Sequence, residues 1–155
     1  MTEFLFYEYE LFTDGEIEVS VERTNPANDR YGYAPSYDFT VHPAGNPAAA
    51  GSVSLRIGNT ENILMYTGHI GYGISEKYRG HHFAAKACSL IRPVALDHGF
   101  KTLWITCNPD NYPSRRTCEI LGCDLVEVVD LPRDNDMYRR GERQKCRYRW
   151  DIGER

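Results

Sequence analysis

Ile70-Gly71-Tyr72-Gly73-Ile74 is followed three residues on by Tyr78-Arg79-Gly80-His81-His82-Phe83-Ala84. The first stretch reads as a strand, its glycines marking a bulge or a close backbone approach. The second opens a helix, because Phe83, Ala87, Leu90, Ile91 and Val94 fall at spacings of 4, 3, 1 and 3 and share one face. Gly99 closes that helix and Pro93, inside it, is expected to kink it. Unpaired backbone N–H groups at a helix start, helped by the helix dipole, bind phosphate. Gly80 lets a ligand approach and Arg79 adds charge, although an ordinary turn with a solvated arginine would use the same residues.

Downstream, Leu103 to Cys107 reads as a strand, and Asn108-Pro109-Asp110-Asn111-Tyr112-Pro113-Ser114 opens a second helix that Gly122 ends. Asn111 and Ser114 are the candidate caps. Leu125 to Leu131 is a strand, Pro132 to Gly141 a charged loop, and Lys145 to Ile152 a last strand. In that strand Cys146, Tyr148, Trp150 and Ile152 face the core and the charges face out. Upstream, Glu16 to Glu22 alternates strictly. Ser36 to His42 and Ser52 to Ile57 are further strands, and Ile63 to Ser75 a glycine-broken strand region. Pro43 to Ala50 is a connection, Thr24 to Pro35 a Pro/Asn-rich loop, and Met1 to Phe12 fits strand or helix equally. The order predicts one α/β domain over residues 1–155, antiparallel early and with a strand-helix-strand crossover late.

Composition sets the frame for function. Apolar residues make up 41% and charged residues 26% of the 155, an ordinary globular balance that excludes disorder as the overall state. No run nears the 18 apolar residues of a membrane span, and Met1-Thr2-Glu3 lacks the basic start of a secretory signal. Five cysteines with no C-x-x-C pair argue against zinc and for reduced thiols in a cytoplasm. Residues 1–77 carry 11 acids against 4 bases, and residues 78–155 carry 11 against 14, so two faces of opposite preference are expected.

The two helix-opening blocks, in this order and with these elements between them, resemble the GNAT superfamily of N-acetyltransferases over about residues 63–152. The second block is most similar to the branch holding ribosomal-protein alanine acetyltransferases. The resemblance implies a mainly antiparallel mixed sheet with a splayed central pair of parallel strands and flanking helices. It implies acetyl-CoA as acyl donor. Tyr72 and Ile74 would offer backbone bonds to its pantetheine. Arg79, Gly80, His81, His82, Phe83 and Ala84 would cradle its pyrophosphate, with Asn111 and Ser114 approaching from the second helix. Three departures stand out. His82 replaces a usual glycine or alanine, Cys118 stands where the family often has an acidic tyrosine, and Thr24 to Pro35 is unsuited to the two helices that usually follow the first strand.

The function implied is transfer of an acetyl group to a primary amine, by direct attack on the thioester. The acceptor would be a small molecule or a protein N-terminus, and its charge is expected to be positive from the acidic first half. His69 is the candidate base, since histidine deprotonates near neutral pH, and Cys118 the weaker candidate acid. Tyr31, Tyr33, Tyr37 and Tyr66 are candidates for an acceptor cleft or for core, whereas His42 and His98 read as packed or surface residues. Two rivals are a GNAT fold that holds acyl-CoA without turnover and an RNA-binding protein using Arg139 to Arg149. Net charge −4 weighs against RNA. Neither a nucleic acid nor a membrane partner is expected, no metal is called for, and a homodimer is left open.

Overall fold

In the computed structural model, residues 4–153 are described. Five strands, Phe12–Thr13 (β1), Ile17–Asn25 (β2), Ser36–Pro43 (β3), Gly51–Arg56 (β4) and Ile70–Ile74 (β5), pair antiparallel in that order. A second sheet holds Thr102–Cys107 (β6), Asp124–Asp130 (β7) and Gln144–Asp151 (β8), with β8 in the middle. Three α-helices lie among the described residues: Phe83–Asp97 (α1), Tyr112–Ile120 (α2) and Asp136–Arg139 (α3).

Strand alternation decides the core. Ile17, Val19, Tyr37, Phe39, Val41, Val53 and Leu55 point to one face of the larger sheet and are fully buried. They meet Ala87, Cys88, Ile91, Val94 and Ala95 of α1 in one cluster. The opposite face carries Ser20, Asp38, Thr40, Ser52 and Ser54. Helix α1 runs through Pro93 to Asp97. It ends in a Schellman arrangement, Phe100 N donating to Ala95 O at 3.1 Å and Gly99 N to Leu96 O at 3.0 Å, with Gly99 left-handed at φ +87°.

The structure departs from the sequence reading in three places. Ile63–Thr67 is a π-helical turn rather than strand, and β5 begins only at Ile70. The loop 132–141 contains α3. In β8 the charges do not all face out: Lys145 and Arg147 are buried. Arg147 donates through Nε and Nη2 to Leu64 O at 3.1 and 2.8 Å and through Nη1 to Glu127 Oε1 at 2.9 Å, and it lies 4.1 Å above the Trp104 ring. Alternation separates the two faces of a strand, but here the π-helical turn covers the polar face as well. Residues 26–35 form no helix and are closed by a bridge between Asn28 and Tyr33. Of the ambiguous N-terminal segment, residues 4–11 are without regular structure and Met1 to Glu3 lie outside the described residues.

Candidate active site

The two sheets meet at His69. Its backbone N–H donates to Trp104 O at 2.7 Å, and its Nδ1 accepts from Trp104 N at 2.9 Å. The imidazole thus takes the place of a backbone carbonyl between the sheets. From this seam the strands diverge. Ile70, Gly71 and Tyr72 of β5 and Thr106, Cys107 and the adjacent Asn108 line opposite walls of a groove of about 280 Å³. Gly68 makes the seam possible: it is left-handed at φ +76°, and a Cβ there would stand 2.8 Å from Trp104 O.

Register tells which groups face the groove. Ser75 N donates to Ala50 O and Arg56 N to His69 O, so the odd residues of β5 bond to β4. In an antiparallel ladder the alternate residues point the other way. The N–H and C=O groups of Ile70, Tyr72 and Ile74 therefore turn to the groove edge, although Ile74 O accepts from Arg79 Nε at 3.1 Å. At the far wall, Asn111 Oδ1 caps α2 by accepting from Ser114 N at 3.2 Å, and Ser114 Oγ lies 2.7 Å from the Tyr72 hydroxyl. Asn111, Ser114 and Tyr72 all line the groove.

Beyond Ile74 the chain makes one 3₁₀ turn, Glu76–Tyr78, and then enters α1. Arg79, Gly80, His81 and His82 are exposed, Ala84 is half-buried and Phe83 is buried in the core. Gly80 is left-handed at φ +89° with nothing within 4 Å of a would-be Cβ. His82 also adopts the left-handed region, φ +60°, and its side chain does not cap the helix. Among the described residues no side chain caps the first turn of α1, and free N–H groups there would suit a phosphate.

His69, the candidate base, lines neither the groove nor the cleft beside it. It is 1% exposed, and with Nδ1 accepting, Nε2 carries the hydrogen that Asn59 Oδ1 takes at 3.1 Å. Burial above all, with the Arg56 charge adding, pushes its pKa down to about 4. Both ring nitrogens are thus engaged at the seam. Cys118, the candidate acid, is also enclosed. It is fully buried, and the Cys123 thiol and desolvation push its pKa far up.

A larger cleft, about 980 Å³, adjoins the groove. The 26–35 loop, the π-helical turn and α3 enclose it, and it shares Arg56, Thr67, Met137 and Arg140 with the groove. Tyr31, Tyr33 and Tyr66 line it. Tyr37 instead lies in the core, its hydroxyl 2.7 Å from His98 Nε2. The acidity of the first half is not concentrated here: Glu61, Asp134 and Asp136 stand against Arg56 and Arg140. Sequence reading missed Arg56, Thr67, Glu142 and Lys145. The alternation of Ser52, Ser54 and Arg56 was a signal that could have placed Arg56 on the polar sheet face. The other three depend on α3 and the π-helical turn. Lys145 Nζ donates to Asn108 Oδ1 and Glu142 Oε1, both at 2.7 Å, closing the end of the groove.

A groove between two diverging strands thus opens into a larger cleft. The acetyltransferase (GNAT) domain family matches residues 4–124, and the chain belongs to that family. No curated protein matches it by sequence. Its fold is similar to a ribosomal-protein alanine acetyltransferase from Vibrio fischeri (12% identity, TM-score 0.68, 93% of this chain and 97% of that one). It is also similar to the ribosomal alpha-N-protein acetyltransferase RimL (13%, TM-score 0.65, 94% and 100%). A third likeness is to the microcin self-immunity acetyltransferase MccE, solved with acetyl-CoA and AMP (20%, TM-score 0.57, 74% of this chain). The chain spans 59% of the length of the MccE chain.

Proposed function

We propose that the protein transfers an acetyl group from acetyl-CoA to a primary amine. The observation that carries this is the continuity of the groove with the cleft: the groove would take an elongated thioester, and the cleft would admit a second substrate to its end. Bound acetyl-CoA would supply an activated acetyl group. The groove-facing N–H groups of β5 would orient the pantetheine and polarise the thioester carbonyl. Arg79 and the α1 start would hold the pyrophosphate. Since His69 and Cys118 are engaged elsewhere, the ammonium proton would leave to water in the open cleft, and activity should rise with pH toward the amine's own pKa.

The test is CoA release across amine classes, beside a thermal shift with acetyl-CoA. Binding and amine-dependent release support the reading. Binding with no release for any amine would establish the rival, an acyl-CoA-binding module, which the engagement of His69 and Cys118 favours. Against RNA binding, Lys145 and Arg147 are occupied internally and Arg149 pairs with Asp124. Five free thiols support a reducing, cytoplasmic setting. Among the described residues no helix is long and apolar enough to cross a membrane.

A further inference from the structure

Arg56 is a half-buried guanidinium at the junction of groove and cleft. Its Nη1 donates to Gly68 O at 3.0 Å and Thr67 O at 3.4 Å. Its Nη2 stands 3.3 Å from where a Gly71 Cβ would be, so the glycine at 71 makes the room it occupies. Among the described residues no carboxylate lies within ion-pair distance. Asp38, the acid acting on it electrostatically, is bonded to Arg23, Asn25 and Ser54. Nε and Nη2 have no protein acceptor among the described residues, and they lie at a cavity wall rather than sealed inside. Arg140, from the end of α3, lines the same junction.

A partly desolvated cation is stabilised by a paired anion, and a guanidinium fork matches an oxygen acid in two-point contact. This charge stands where the groove opens into the cleft, the place where, on the acetyltransferase reading, the acceptor would meet the thioester. We propose, resting on the acetyltransferase reading above, that the acceptor is a small primary amine bearing an oxygen acid beside the amine, as an α-amino acid does, and that Arg56 holds that acid. A protein N-terminus would bring a neutral amide carbonyl to the same point and leave the guanidinium unneutralised. Arg56 is thereby a specificity-determining residue.

The experiment measures kcat and KM of the full chain with saturating acetyl-CoA. Acceptors are the common free amino acids, an aminophosphonate series, the matching amino acid amides, the decarboxylated amines and short peptides. Free acids should exceed their amides by at least tenfold in kcat/KM, mostly through KM, and the phosphonates report whether carboxylate or phosphorus acid is preferred. In Arg56→Gln the acid-to-amide ratio should fall to near one, and Arg56→Lys should restore part of it, while the KM of acetyl-CoA stays within twofold. Amides, plain amines or peptides matching the acids overturn the proposal while leaving the acetyltransferase reading intact. So does an acid-to-amide ratio that survives in Arg56→Gln. If no amine of any kind releases CoA while acetyl-CoA still binds, the acetyltransferase reading itself falls, and this inference with it.

Discussion

His82 is the single non-glycine residue with positive φ among the described residues, and it stands at the N-cap of α1. A residue with a Cβ in the left-handed region costs roughly 1–2 kcal/mol, which glycine avoids. His82→Gly is therefore expected to raise stability by about 1 kcal/mol, read as the urea midpoint, and to keep acetyl-CoA binding. Gly80→Asp is expected to act the other way. It imposes a Cβ at φ +89° and sets a carboxylate where phosphates would lie, so the thermal shift given by acetyl-CoA should vanish. An unchanged shift in Gly80→Asp would mean that the turn does not hold the donor. Gly80, Arg79 and the helix start were legible in the sequence because glycine and a helical period mark a turn by their own chemistry. The surroundings of His69 and Cys118 were not legible. Each depends on what lies across a gap in sequence, Trp104 for one and the packed face of α1 for the other.

At the scale of elements, the seam between β5 and β6 is the part that sets the groove. Its histidine titrates below its ordinary value, about 4 against 6.5. Between those values the unfolded chain binds a proton that the folded chain does not. Stability is thus full above about pH 7 and falls as the pH drops from 6.5 toward 4, by up to about 3 kcal/mol from this residue. His69→Asn keeps an acceptor for Trp104 N–H and removes the titration. Urea unfolding of the two proteins at pH 7 and pH 4.5 should show a shallower pH loss in the variant. Equal losses would remove His69 as the cause. Strands and helices were mostly legible here, since alternation and the 3.6-residue face survive any tertiary context. The π-helical turn was not, because Ile63-Leu64-Met65-Tyr66-Thr67 is as apolar and β-branched as a strand. Arg147 holds it: Arg147→Lys loses the two-point contact with Leu64 O and should cost about 2 kcal/mol, a lysine being unable to reproduce the fork.

On the scale of the whole molecule the charge divides between the halves, −7 over residues 1–77 and +3 over residues 78–155. Taken alone, the acidic half favours a cationic acceptor, drawn in by long-range attraction. The cleft tempers that expectation, because two arginines oppose its three carboxylates and Arg56 stands at its inner end. An acceptor with one amine and one acid carries no net charge and gains little from the surrounding field. The donor differs: its phosphates are multiply negative, and on the function proposed above the α1 start with Arg79 would draw them from solution. Salt separates the two substrates, since the screening length shrinks from about 30 Å at 0.01 M to about 3 Å at 1 M. Raising salt from 0.02 to 0.5 M should raise the KM of acetyl-CoA several-fold and move the KM of the acceptor less than twofold. A steep rise in the acceptor's KM would instead mark it as a net cation, steered by the acidic half of the chain rather than selected by Arg56.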